Sequence, residues 1–172
     1  MRNFILLLMI VLAWPSAVAG QKRAFPRVNF EFGGGMNFGA TKDGWQEVKQ
    51  GPSLFIEGRY NIDELPLDVG LQIDISAFRR ETGIDYTQPR SWKFMLVSDY
   101  ASRRARLVCP FAGVGIGIAT DDNLASNLSP GTALCLMPRV GVRLLKHVSL
   151  TLDYEISHVS HNHFDLKIGF YL

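Results

Sequence analysis

Two cysteines in 172 residues are too few for a disulfide-dense scaffold. Charge of one sign is lacking as well. The chain carries 18 Lys and Arg against 16 Asp and Glu, without a dense basic patch, so no electrostatic argument points to a nucleic-acid partner. Beyond the first twenty residues no apolar run approaches the ~20 residues that a transmembrane helix takes. Helical periodicity of useful length, internal repeats of solenoid period and low-complexity tracts are missing too. What is present in their place is alternation of period two, which argues for β-strands.

The N-terminus is expected to be a targeting segment. Arg2 supplies a positive start, Phe4 to Ala13 an apolar stretch and Ala17-Val18-Ala19 a small-residue cleavage site. Residues 1–19 are assigned to a signal peptide, with cleavage after Gly20 as the alternative, and residues 20–172 to one domain. With Arg2 removed from the 18 basic residues, 17 remain against 16 acidic ones. No cysteine stands directly after the cleavage site, which argues against a lipoprotein anchor.

Eight strands are expected along the domain. Val28–Phe38 places Val28, Phe30, Phe32, Met36 and Phe38 on one face, with Gly33 and Gly35 on the other, where they suit a tightly curved wall. Ser53–Tyr60 and Leu67–Ala77 follow, the latter alternating Leu67, Val69, Leu71, Ile73 and Ile75 with Asp68, Gln72 and Asp74. A helix would scatter those aspartates over its apolar face. Trp92–Asp99 is the fourth strand. Arg106–Ile118 is the fifth, where the alternation blurs, because Leu107, Cys109 and Phe111 share one parity and Val114, Ile116 and Ile118 the other. A bulge near Pro110 would reconcile them and turn Gly113, Gly115 and Gly117 inward. Leu134–Leu144, Val148–Ser157 and Phe164–Leu172 complete the set. The connections alternate between long and polar (39–51, 79–90, 119–132) and short (61–66, 101–104, 145–147), with 158–163 of medium length. The last strand ends on apolar Leu172, as a barrel closing on its own final strand would, and is expected to pair with Val28–Phe38.

Three features favour a membrane barrel over a soluble one. Most strands have about nine or more alternating residues, enough to cross a bilayer at a tilt. Long and short connections alternate, as external loops and periplasmic turns do. Aromatics gather near the strand ends of the apolar face: Phe38, Phe78, Trp92 and Phe164 toward the long loops, Tyr60, Tyr100 and Phe170 toward the short turns. The polar face then lines a lumen narrow enough to be filled by its own side chains. Its charges are Glu31, Glu57, Asp68, Asp74, Asp99, Asp153, Glu155 and Asp165, opposed by Arg59, Lys93, Arg139, Arg143 and Lys167. They must pair, since buried unpaired charge is costly. Pro110 to Gly117, Pro138 to Val142 and the terminal strand Phe164–Leu172 carry a resemblance that covers the mature chain: it resembles the small eight-stranded outer-membrane barrels of the OmpA/OmpX kind. The resemblance implies an all-β, antiparallel, up-and-down transmembrane barrel in the outer membrane of a Gram-negative bacterium. It also implies a structural or surface-interaction role, contact with outer-membrane lipid and lipopolysaccharide, and recognition of the last strand by the outer-membrane assembly machinery. A monomer without cofactor and without nucleic acid is expected. A soluble lipocalin-like ligand carrier is the alternative that would hide the apolar face instead.

Candidate chemistry is sparse. His158-Val159-Ser160 resembles the His-x-Ser of outer-membrane lipid A deacylases, where Ser160 would be nucleophile and His158 its base, with Asp165 as the acid available downstream. Against it stands a polar loop tip, and the expectation is no enzyme. His158, His161 and His163 suit a transition metal by type, but as loop histidines without a fixed frame they are expected to be exposed and to bind none. Cys109 and Cys135 are expected to be free and buried: with Ile118 facing Ala133, Cys109 lies opposite Val142, beyond disulfide reach of Cys135. Trp45, Tyr86, Arg79, Arg80 and Arg90 are candidate contact residues in the long loops.

Overall fold

The computed structural model describes residues 27–39, 42–43, 46–62, 65–77, 79–82, 85–87, 90–101, 107–122, 131–145, 147–157 and 162–172. The signal segment, Trp45, Phe78, His158, Ser160 and His161 lie outside them. Eight antiparallel strands form a closed barrel. They are β1 (Val28–Gly39), β2 (Gly51–Asn61), β3 (Leu67–Ala77), β4 (Arg90–Ala101), β5 (Val108–Asp122), β6 (Gly131–Leu144), β7 (Val148–Ser157) and β8 (His163–Tyr171). Each strand pairs with its sequence neighbours, and β8 closes on β1 from Glu31↔Tyr171 to Gly39↔His163. The expected bounds of β3 and β7 coincide with those observed at both ends.

The faces are inside out relative to a soluble domain. Among the described residues 23 polar or charged side chains are buried against 10 hydrophobic ones, while Leu54, Leu71 and Leu134 are 64%, 68% and 73% exposed. That distribution rules out the lipocalin-like arrangement, which needs its apolar face inside. It is the distribution a bilayer requires, with an apolar belt facing lipid. Aromatics mark the rims of this belt, where Phe38 faces Phe164 across the closing seam and the Tyr154 and Phe164 rings lie 4.5 Å apart.

Two expectations for β5 are corrected. No bulge occurs at Pro110: β5 and β6 pair without interruption from Val108↔Leu144 to Asp121↔Gly131. Cys109 and Phe111 therefore face the lumen with Gly113, Gly115 and Gly117, and Val108, Pro110 and Val114 face out. The pairing of β5 with β4 begins at Ala101↔Phe111, so Pro110 stands past the last rung on that side, where its missing N–H costs no ladder bond. The hairpin register is also shifted by one residue, with Ile118 opposite Leu134 and Cys109 opposite Arg143, eight positions along β6 from Cys135. Both thiols are buried and unbridged. Pro138 is accommodated similarly, because the β6–β7 pairing skips Met137 and Pro138 between Leu136↔Ile156 and Arg139↔Asp153.

Two long connections expected to be plain loops contain strands. Gln46–Lys49 pairs with Lys42–Asp43 and with Arg79–Thr82, which pairs in turn with Asp85–Thr87. The first two long connections are thus tied into one four-stranded sheet.

Small residues let the narrow barrel close around large side chains. A Cβ at Gly113 would overlap the Asp99 carboxylate and the Ser98 carbonyl, whereas one at lipid-facing Gly58 would meet only the Phe30 ring, at 3.5 Å. Gly113→Val is therefore expected to lower unfolding stability by about 1–3 kcal/mol, and Gly58→Ala to leave it within about 0.5 kcal/mol. Urea titration of the folded barrel in detergent micelles checks both.

Candidate functional site

The lumen is where the described polar chemistry concentrates. Among the residues whose side chains are described, period-two geometry puts the odd-numbered ones of β1, β2, β4, β5, β6, β7 and β8, and the even-numbered ones of β3, on the inner face. The thirteen charged residues placed on this face by parity are buried there: Glu31, Glu57, Arg59, Asp68, Asp74, Lys93, Asp99, Arg139, Arg143, Asp153, Glu155, Asp165 and Lys167. His163 is buried with them.

Toward the short-turn end, three guanidinium groups surround one ring. The Arg143, Arg139 and Arg59 guanidinium carbons lie 4.9, 5.7 and 5.8 Å from the Phe111 centroid. A ring face attracts cations, and its flat body separates three like charges that would otherwise repel. Carboxylates close the outer side of this arrangement. Arg59 donates from Nε to Glu57 at 2.7 Å and pairs with Glu31 and Asp99 at 3.4 Å each. Arg139 reaches the other Glu57 oxygen at 3.0 Å and Gln72 at 3.1 Å. Arg143 bridges Asp68 at 2.5 Å and Asp99 at 3.4 Å. The Tyr171 hydroxyl accepts from Arg59 at 3.0 Å, and Ser149 donates to Glu31.

Toward the long-loop end, two ammonium groups replace the guanidinium groups. Lys167 contacts Asp74 at 2.5 Å, Asp153 at 2.8 Å and Asp165 at 3.7 Å. Lys93 contacts Glu155 at 2.8 Å, Asp165 at 3.2 Å and Asp74 at 3.3 Å. Asp153 links the two layers, since Arg139 Nε lies 3.8 Å from its other oxygen. Beside them the β4–β6 wall contributes a small apolar cluster of Met95, Val97, Ala119, Cys135 and Met137. The inner face is therefore not uniformly polar, which is why Cys109 and Phe111 could sit inward against expectation.

His163 is the larger correction. Placed by sequence in an exposed loop, it is 0% exposed and opens β8 on the lumen side, paired with Gly39 and Glu155. Its Nε2 lies 3.2 Å from Glu155 and 3.5 Å from Asp165, so a buried frame with carboxylates does hold it. Its parity with Asp165 and Lys167 was the signal available in the sequence. The hydrolase candidates His158 and Ser160 lie outside the described residues. Asp165, the acid they would need, faces the lumen and is engaged by Lys93 and His163. Tyr86, Arg79, Arg80 and Arg90 fall within described strands.

A model of the outer membrane protein beta-barrel domain matches residues 4–170. No curated protein matches the chain in sequence. Solved structures of similar fold include the outer-membrane protein Ail of Yersinia pestis in a phospholipid nanodisc (12% identity, TM-score 0.54, 84% of this chain and 98% of that one). Neisserial surface protein A is similar at 14% identity and TM-score 0.55, over 86% of this chain and 97% of that one. The outer-membrane protein OprG of Pseudomonas aeruginosa is similar at 13% identity and TM-score 0.53, with the same coverage, 86% and 97%. At these identities the likeness is one of fold.

Arg139 serves Glu57, Asp99 and Asp153 together. Arg139→Ala is expected to destabilise the folded barrel by about 3–5 kcal/mol, because losing one of five buried cations deepens the surplus of buried carboxylates. The shift in urea midpoint, with Arg139→Met as a volume-matched comparison, measures it.

Proposed function

The chain belongs to the outer membrane protein beta-barrel domain family and resides in the bacterial outer membrane, and from that premise we propose that it is a charge-plugged barrel that acts through its external surface. On this reading the barrel anchors and the long connections interact, while the lumen conducts no solutes. The observation that carries it is the packing of Arg59, Arg139 and Arg143 about Phe111, with Glu31, Glu57, Asp68 and Asp99 around them. An eight-stranded barrel has only the width its own side chains fill. The sheet joining the first two long connections supports a surface role, because paired strands present a more fixed platform than separate loops.

The partners that fit this reading are outer-membrane lipid along the apolar belt, lipopolysaccharide at the loop end and the assembly machinery through β8. The barrel is a monomer and not an enzyme. Asp165, held inside by Lys93, gives no support to a lipid-facing hydrolase. Reconstitution into planar bilayers is expected to show no single-channel conductance of porin size; stable ohmic steps would overturn the plugged lumen. Incubation with lipopolysaccharide is expected to release no acyl chains, and release abolished by Ser160→Ala would establish the hydrolase instead.

A further inference from the structure

The described lumen holds eight carboxylates and five Lys or Arg side chains, a surplus of three acids. At its long-loop end that surplus converges. One ligand atom each from Glu155, His163 and Asp165 lies within 4.8 Å of the others, and all three residues are buried. His163 Nε2 stands 3.2 Å from Glu155 Oε2 and 3.5 Å from Asp165 Oδ2. A tetrahedral Zn²⁺ with N and O ligands at about 2.0–2.2 Å holds those ligands roughly 3.3–3.5 Å apart. The two spacings from His163 lie close to that separation. A second observation points the same way. Asp165 makes its ion pairs with Lys93, His163 and Lys167 through Oδ2, while its buried Oδ1 accepts no hydrogen bond among the described residues.

The Lys93 ammonium rests on all three ligand atoms, 2.8 Å from Glu155 Oε2, 3.2 Å from Asp165 Oδ2 and 3.4 Å from His163 Nε2. It also reaches Asp74 at 3.3 Å, so it has a carboxylate outside the three ligands to turn to without leaving the lumen. We propose that Glu155, His163 and Asp165 bind a divalent transition-metal ion of the Zn²⁺ class, in exchange for Lys93, which retreats to Asp74. One imidazole with two carboxylates selects such an ion over Ca²⁺ or Mg²⁺, which take oxygen donors. With the ion bound and Lys93 still inside, the acid surplus among the described side chains falls from three to one.

The whole barrel, purified in detergent and stripped with chelator, tests this by calorimetric titration with Zn²⁺ after long equilibration, and by Co²⁺ visible absorption. The expected results are 1:1 binding with a tetrahedral Co²⁺ spectrum and at least tenfold weaker binding by His163→Ala. Lys93→Met, freed of the competing ammonium, is expected to bind at least tenfold more tightly. The loop variant His158→Ala/His161→Ala is expected to bind as the unaltered protein does. A heat-shift gel confirms that each variant is folded; where Lys93→Met is not, the Co²⁺ spectrum and the His163→Ala loss decide alone. Absence of 1:1 binding by the unaltered protein, or binding that survives His163→Ala and disappears with the loop histidines, overturns the proposal.

Discussion

In hydrocarbon a backbone amide without a partner costs several kcal/mol, so a sheet that crosses a bilayer can have no open edge. The seam between β1 and β8 satisfies that condition last, and the rest of the structure depends on it. Nine consecutive pairs, Glu31↔Tyr171 to Gly39↔His163, join the two ends of the chain. Closure fixes eight strands, eight strands fix a narrow bore, and the bore decides what the polar face can be.

In a bore that narrow, the eight described carboxylates lie among the protein's own cations. Several of these carboxylates are shared between cations. Asp99 is shared by Arg59, Arg139 and Arg143, and Asp74 by Lys93 and Lys167. Sharing spreads each cation over several acids, which is how five positive groups hold eight negative ones. The same density makes the interior intolerant of change: glycine at 113 exists to leave room for Asp99.

The architecture was legible because a bilayer imposes a strict period-two code, and β3 and β7 obey it residue by residue. The code weakens where the lumen wall turns apolar. Cys109 and Phe111 share the chemistry of the lipid face, so parity alone misplaced them; Phe111 faces inward because three guanidinium groups need a flat, electron-rich neighbour. Pro110 invited a bulge because only the end of the β4 pairing, invisible in one sequence, shows that its missing N–H costs nothing. The network's charged members were readable from parity, but their partners were not, since cross-barrel neighbours such as Lys93 and Asp165 lie 72 residues apart in the chain. His163 sits in a histidine-rich stretch that reads as loop, while its parity with Asp165 and Lys167 belongs to the strand His163–Tyr171.

Cell fractionation followed by electrophoresis of unheated and heated samples tests, in one measurement, whether the protein is a closed barrel embedded in the outer membrane. The prediction is recovery in the outer-membrane fraction, soluble only with detergent, with an unheated band that migrates differently from the heated one because the closed sheet resists detergent unfolding. Recovery in the soluble periplasmic fraction, with identical migration before and after heating, would contradict it.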